Sequence, residues 1–154
     1  MTELRIEEHD YNKILEELAI EGKIDTIVNL LHKYLSNLSN RDFIKFDEKY
    51  IKLIVYCIAM NLKLYTTKSE VEVNRNYPDL LLVPQDTTKG YKSVMIEFKY
   101  LKSNETQKLK EKQEEAKEQI KRYSEFEEIR NIENLNKYTI VAVNDKVYVE
   151  KINM

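Results

Sequence analysis

Apolar residues recur at helical spacing through the first third of the chain. Residues 10–21 predict a helix that ends at Gly22, and a second apolar stripe over residues 24–38 predicts another helix. Asp47 is expected to cap a third helix that runs to about residue 62. The N-terminal part of the chain is therefore predicted to be helical.

From residue 64 onward the apolar spacing becomes that of strands, interrupted by one charged helix. The predicted elements are extended structure over 64–74, strands over 80–83 and 92–99, a charged helix over 105–129, and a final hairpin of 138–143 and 146–152. The hairpin turn falls at Asn144-Asp145. After the first two helices the order is α-β-β-β-α-β-β, which predicts an α/β domain.

Length and cysteine content limit the class of protein. A chain of 154 residues is expected to form one domain, and its single cysteine, Cys57, excludes a disulfide framework or a cysteine-rich zinc site. No apolar run approaches the roughly 18 residues of a membrane span, and the N-terminus does not resemble a signal peptide. These features favour a cytoplasmic protein in which Cys57 is a small core residue.

The charge balance limits the nucleic-acid partners of the chain. Its 25 basic and 27 acidic residues give a formal net charge of −2. A protein that coats nucleic acid by neutralising phosphates is expected to be basic, so this class is disfavoured. A nuclease is compatible with the charge, because metal ions offset the acidic residues of its site.

Two charged residues interrupt the apolar strand over 92–99. Glu97 and Lys99 are two positions apart and therefore share one strand face. Asp79 starts the neighbouring strand, so its carboxylate is expected near that of Glu97, where the two would bind a hard cation such as Mg²⁺. Lys99 could then orient or help deprotonate a water molecule, or stabilise negative charge on a phosphorane-like transition state. The set predicts phosphodiester hydrolysis.

A third acid, Glu48, stands at the head of the apolar stripe of the third helix. The stripe alternates steps of three and four residues through Ile51, Val55, Ile58 and Leu62. Glu48 is therefore predicted to face the core side, where it could complete a metal shell. The alternative is that Glu48 only complements the positive N-terminal end of its helix.

The pair Pro78-Asp79, followed after one hairpin by Glu97-Phe98-Lys99, resembles the signature of the PD-(D/E)XK nuclease superfamily. The helix that follows carries four further positions of the resemblance, Ala116, Gln119, Ile120 and Tyr123. With Glu48 they most resemble the domains found at the C-terminus of bacterial and archaeal AAA-ATPase-like proteins. Those domains usually have Gly-Arg before the metal aspartate, a pair that this chain lacks.

This resemblance implies a fold and a domain organisation. The implied fold is a restriction-endonuclease-like αβββαβ core, in which helices flank a central mixed sheet. The nuclease-like domain would cover residues 45–154, and residues 1–44 would form an N-terminal helical extension.

The resemblance also implies a role for each site residue. Asp79, Glu97 and Glu48 would bind Mg²⁺ or Mn²⁺, Lys99 would be the catalytic lysine, and Gln119 would be a polar helper that faces the site. The implied activity is metal-dependent hydrolysis of DNA phosphodiester bonds.

Structural roles remain open for the same residues. Asp79 could close a turn, and Glu97 and Lys99 could form an ion pair at the sheet edge. Gln119 could be a solvated helix residue. The alternating lysines and glutamates over residues 102–121 are more typical of a solvated helix face than of a track for DNA.

A non-catalytic function is the alternative for the whole chain. A module of this fold could bind nucleic acid or a protein partner such as an ATPase. The sequence itself has no P-loop, because Gly22-Lys23 lacks the preceding glycine of that motif. The chain is expected to be either a free-standing domain or part of a longer protein. Cutting both strands of DNA would need two sites, hence a homodimer or sequential nicks.

Overall fold

A five-stranded mixed sheet forms the centre of the molecule. The computed structural model describes residues 6–38, 46–68 and 77–153. The strands lie in the sheet in sequence order: β1 (Tyr65–Lys68), β2 (Leu80–Pro84), β3 (Ser93–Leu101), β4 (Leu135–Val143) and β5 (Lys146–Ile152). The predicted α/β architecture, a mixed sheet flanked by helices, is confirmed.

Helices cover both faces of this sheet. The helical segments are α1 (Glu8–Glu16) with a π-helical turn (Glu17–Glu21), α2 (Asp25–Ser36), α3 (Glu48–Met60), α4 (Leu109–Ser124) and α5 (Glu127–Arg130), with 3₁₀ turns at Thr87–Lys89 and Ser103–Lys108. As predicted, Asp47 caps α3, and its carboxylate accepts a 2.9 Å hydrogen bond from the Lys49 N–H. No helix within the described ranges has the length and apolar character needed to cross a membrane.

Strand directions determine which residues meet at the centre of the sheet. β2 pairs antiparallel with β3, whereas β4 runs parallel to β3 and follows it through α4. β1 and β5 complete the sheet as antiparallel partners of β2 and β4. The register sets Leu80 beside Ile96 and Glu97 beside Thr139. β3 is therefore a central strand with a hydrogen-bonded neighbour on each side.

The two faces of β3 are buried against different helices. Ile96 and Phe98 pack with residues of α1, α2 and α3, whereas Met95 packs with Ile120 and Tyr123 of the α4 side. A strand covered on both faces is expected to be almost entirely apolar. Charged residues inside β3 are therefore exceptions that need a local explanation.

The N-terminal helices share a hydrophobic core with the sheet. Leu18 is fully buried in the same cluster as residues of β2, β3 and β4. The Tyr138 hydroxyl of β4 donates a 2.6 Å hydrogen bond to the carbonyl oxygen of Gly22. The division into residues 1–44 and 45–154 stays a prediction, although the two parts are joined by extensive packing.

The charged helix is shorter than the sequence predicts. The prediction over 105–129 is wrong at its C-terminal end, because α4 ends at Ser124. The Ser124 hydroxyl donates to the carbonyl oxygen of Ile120 over 2.8 Å, and Phe126 then adopts an extended backbone. This break lets α5 bring Ile129 into the core.

Cys57 is exposed, so its prediction as a core residue is wrong. The core-facing positions around it on α3 are filled by Ile54, Val55 and Ile58. Part of the predicted extended segment over 64–74 is confirmed as β1, which begins at Tyr65, and residues 69–74 lie outside the described residues.

We expect Gly22→Ala to destabilise the fold more than Gly90→Ala. Both glycines have a positive φ, 64° and 70°, so alanine is strained at either position. At Gly22 the added Cβ would also collide with the side chain of Asn136, whereas at Gly90 nothing lies within 4 Å. We expect losses of about 3 kcal/mol and about 1 kcal/mol in the free energy of unfolding, respectively.

Urea denaturation of both variants beside the wild type measures these losses. The Asn136 amide cannot move away without weakening its hydrogen bonds to the carbonyl oxygens of Ser93 and Asn134. Equal losses at the two glycines would contradict the close packing at Gly22.

Candidate active site

The register of β2 and β3 brings two acidic side chains together. Asp79 is the residue before β2, and the antiparallel pairing sets it beside Glu97 of β3. The Asp79 N–H donates to Glu97 Oε2 over 3.3 Å, and the Phe98 N–H donates to Asp79 Oδ2 over 2.9 Å. The backbone therefore holds one oxygen of each carboxyl group in place.

Both carboxyl groups are withdrawn from solvent. The exposed fraction is 6% for Asp79 and 3% for Glu97. Burial disfavours the charged form and the neighbouring Asp79 adds repulsion, so the pKa of Glu97 rises to about 9. Burial also raises the pKa of Asp79, although hydrogen bonds from Lys52 and from the Phe98 N–H oppose the rise. At neutral pH the pair therefore keeps a proton that ordinary carboxyl groups would have lost.

Lys99 lies on the same face of β3 as Glu97, as strand alternation predicts. Its side chain is only 11% exposed, and its Nζ lies 3.5 Å from Glu115 Oε1 of α4. Glu115 also accepts a 2.8 Å hydrogen bond from Lys112 Nζ. This hydrogen bond and the positive charges of the two lysines lower the pKa of Glu115. The ammonium group of Lys99 therefore lies beside α4, where Glu115 supplies a negative charge.

Glu48 contacts a lysine instead of the acid pair. Lys52, one turn later on α3, places its Nζ 3.1 Å from Glu48 Oε1 and 2.6 Å from Asp79 Oδ1. The ammonium group therefore lies between the two carboxylates. Metal binding by Glu48 stays a prediction, and in this arrangement Glu48 serves as a partner of Lys52.

Helix α4 closes the site with polar side chains. Tyr123 is buried, and its pKa rises to about 12 through burial first and then through the negative charges of Glu97 and Asp79. Gln119, one turn earlier on the same helix face, has a buried Oε1 with no hydrogen-bond partner among the described residues. An unsatisfied buried acceptor is unusual, and a polar ligand bound in the site would satisfy it. The role of Gln119 as a polar helper stays a prediction.

Lys52 and Glu115 belong to the site although the sequence does not single them out. The available signal for Lys52 was its spacing of four residues from Glu48, which is typical of a helical ion pair. Glu115 lies in a segment of alternating lysines and glutamates that is typical of a solvated helix face. Its proximity to Lys99 depends on how α4 crosses the sheet, which no local spacing encodes.

The chemistry of this donor set fits a divalent metal ion. Asp79 and Glu97 are adjacent and buried, and a hard cation would relieve both their repulsion and their loss of hydration. Among the described residues no three His, Cys, Asp or Glu side chains are grouped so as to hold a metal. Mg²⁺ needs few carboxylates, because it completes its shell with water and phosphate oxygens.

We expect the metal-free protein to lose stability as the pH rises from about 6 to about 8.5. A glutamate in the unfolded chain loses its proton near pH 4.5, whereas folded Glu97 keeps its proton up to about pH 9. Between these values the folded state binds more protons, so a rise in pH favours unfolding. The expected loss over this interval is about 2–3 kcal/mol.

Urea titrations in the presence of a chelator measure this dependence. Glu97→Gln should remove most of it, leaving the smaller contribution of Asp79, whose pKa is raised in the same direction. The matched control is Glu118→Gln on the exposed side of α4, which should keep the wild-type slope. An unchanged slope in Glu97→Gln would contradict the raised pKa.

Comparison with known protein families identifies the family of the chain. The family model described as the PD-(D/E)XK nuclease superfamily matches residues 46–152. The matched span includes all five strands and all the predicted site residues. No curated protein matches the chain. The match does not separate the domains of AAA-ATPase-like proteins from the rest of the superfamily, so that finer resemblance stays a prediction.

The family match and the architecture agree. A mixed five-stranded sheet flanked by helices is consistent with a restriction-endonuclease-like fold. Nucleases of this superfamily typically use divalent metal ions. The two buried carboxyl groups lie where the sequence resembles the signature of the superfamily. The family model covers well over half of the chain. The chain belongs to the PD-(D/E)XK nuclease superfamily.

Proposed function

We propose that this protein is a metal-dependent nuclease that hydrolyses phosphodiester bonds of DNA. The observation that carries the proposal is the buried pair of Asp79 and Glu97 with Lys99 on the same strand face. Burying two adjacent carboxyl groups costs stability, and a structural role would be served better by apolar residues. Strongly shifted pKa values at such a position are typical of functional sites.

Asp79 and Glu97 are the proposed ligands of the metal ion, with Mg²⁺ or Mn²⁺ as the proposed identity. A divalent ion held there would polarise the scissile phosphate and lower the pKa of a bound water molecule. The backbone hydrogen bonds of 3.3 Å and 2.9 Å hold the two carboxyl groups in fixed positions. Such preorganisation keeps the ligands from having to reorder during the reaction.

Lys99 is the proposed catalytic lysine. A water oxygen attacks the phosphorus and gives up a proton, the bond from phosphorus to one ester oxygen breaks, and that oxygen takes up a proton as it leaves. Negative charge grows on the non-bridging oxygens during this step, and the Lys99 ammonium would stabilise it. Its 3.5 Å contact to the half-exposed Glu115 is long for an ion pair, which leaves Lys99 able to turn towards a phosphate.

DNA is the proposed substrate, and its cleavage tests the proposal against the non-catalytic alternative. The net charge of −2 makes tight binding without a metal ion unfavourable, so cleavage should depend on the added ion. A binding module that uses the same fold, or one that serves a protein partner such as an ATPase, would leave DNA intact. A homodimer or sequential nicks would be needed for a cut through both strands.

We expect Lys99→Ala to lower the rate of DNA cleavage by roughly 100-fold or more without unfolding the protein. The reason is the loss of the positive charge next to the reacting phosphate. Duplex, single-stranded and branched DNA are incubated with Mg²⁺ or Mn²⁺, and circular dichroism checks the fold.

The matched control is Lys33→Ala on α2, which packs on the opposite face of the sheet and should retain activity. A chelator should abolish cleavage by the wild type. A wild type that cleaves none of these substrates would refute the nuclease proposal, and a fully active Lys99→Ala would refute the role of Lys99.

A further inference from the structure

Lys52 is a charged group at the acid pair that the proposed reaction does not use. It enters from α3, and its side chain is 30% exposed, whereas the Asp79 side chain that it contacts is only 2% exposed. The 2.6 Å distance from its Nζ to Asp79 Oδ1 is that of a short, charge-assisted hydrogen bond. A cation is thus already present at one of the two buried carboxylates of the site.

The contacts of Asp79 show which oxygen Lys52 occupies. Asp79 Oδ2 accepts the hydrogen bond from the Phe98 N–H, and Asp79 Oδ1 faces the ammonium group of Lys52. A metal ion that used Asp79 as a ligand would compete with Lys52 for this carboxylate. Two cations within a few ångströms of one carboxylate repel each other, so both cannot bind it equally well.

A second position for the ammonium group lies beside the first. Glu48 Oε1 is 3.1 Å from Lys52 Nζ, and its side chain is 34% exposed, so a charge there is hydrated in part. Glu48 and Lys52 are four residues apart on α3, which keeps them in reach of each other in any rotamer that follows the helix surface. Lys52 can therefore leave Asp79 without becoming an isolated charge.

We infer that Lys52 is an internal counter-ion that yields its place at Asp79 to the divalent metal ion and is then held by Glu48. This inference deepens the proposed function and rests on it. Lys52 acts through Asp79: in the metal-free protein its ammonium group balances the charge of that carboxylate. It also sets the metal concentration at which the site fills, since the ion has to displace it.

The test compares Mn²⁺ binding and metal-free stability in Lys52→Met, Lys52→Arg and the wild type. Lys52→Met keeps most of the apolar stem and removes the charge, so Mn²⁺ should bind about tenfold or more tightly. The same variant should melt about 5 °C or more below the wild type without metal, because Asp79 loses its counter-ion. Lys52→Arg keeps the charge and should bind Mn²⁺ as weakly as the wild type.

Calorimetry and the electron paramagnetic resonance signal of free Mn²⁺ measure binding without relying on cleavage. Lys49→Met, an exposed lysine on the same helix, is the matched control and should change neither property. A purely structural Lys52 would lower the melting temperature in Lys52→Met but would not tighten metal binding. Affinity equal to or below that of the wild type in Lys52→Met would therefore overturn the inference.

Glu48→Gln tests the second half of the inference in two backgrounds. With Lys52 present, the substitution removes the partner that receives the ammonium group, so Mn²⁺ binding should weaken several-fold. In the Lys52→Met background it should have no effect. Equal weakening in both backgrounds would identify Glu48 as a metal ligand and overturn its role as the partner of Lys52.

The outcomes also separate this inference from the proposed function. A wild type that binds Mn²⁺ at Asp79, as shown by loss of binding in Asp79→Asn, leaves the proposed function standing whatever Lys52 does. A wild type and a Lys52→Met variant that both fail to bind Mn²⁺ would overturn the metal-dependent nuclease together with the inference.

Discussion

Repulsion between two buried carboxyl groups is the constraint around which this molecule is organised. Asp79 and Glu97 meet because an antiparallel pair of strands sets them side by side under a helix. Neither can be fully charged there without a cation. Three kinds of group reduce this cost: Lys52 of α3 contacts Asp79, the charge of Lys99 of β3 lowers the pKa of Glu97, and backbone N–H groups donate hydrogen bonds. The site is therefore under electrostatic strain before any ligand arrives, and the proposed metal ion would relieve that strain.

The parts of the site that are close in sequence could be predicted from the sequence. Alternation along one strand was enough to place Glu97 and Lys99 on a common face, and the hairpin between β2 and β3 was enough to bring Asp79 to them. The same local logic places the final hairpin turn, where Asn144 adopts the left-handed conformation with a φ of 57° that glycine would otherwise supply. Short-range periodicity and turn chemistry determine these features.

The parts that depend on packing between distant elements could not be predicted in this way. Glu115 has the spacing of a solvated residue, and only the path of α4 over the sheet brings it to Lys99. Lys52 has the spacing of an ordinary helical ion pair with Glu48, and its contact with Asp79 depends on where α3 sits against the sheet. The spacing of charges predicts ion pairs within one helix, whereas ion pairs between distant elements depend on tertiary packing.

The parallel pairing of β3 with β4 has a consequence for the order of folding. β2 and β3 are joined by a short connection, whereas β4 can reach β3 only after the chain has crossed back through α4. Short loops close at a lower entropic cost than long ones, so we expect the two acids to meet while both are still in contact with water. We expect their dehydration to come later, when α4 docks over them. The electrostatic cost of the pair is therefore expected on a late step of folding, and a cation that neutralises the pair would lower that cost.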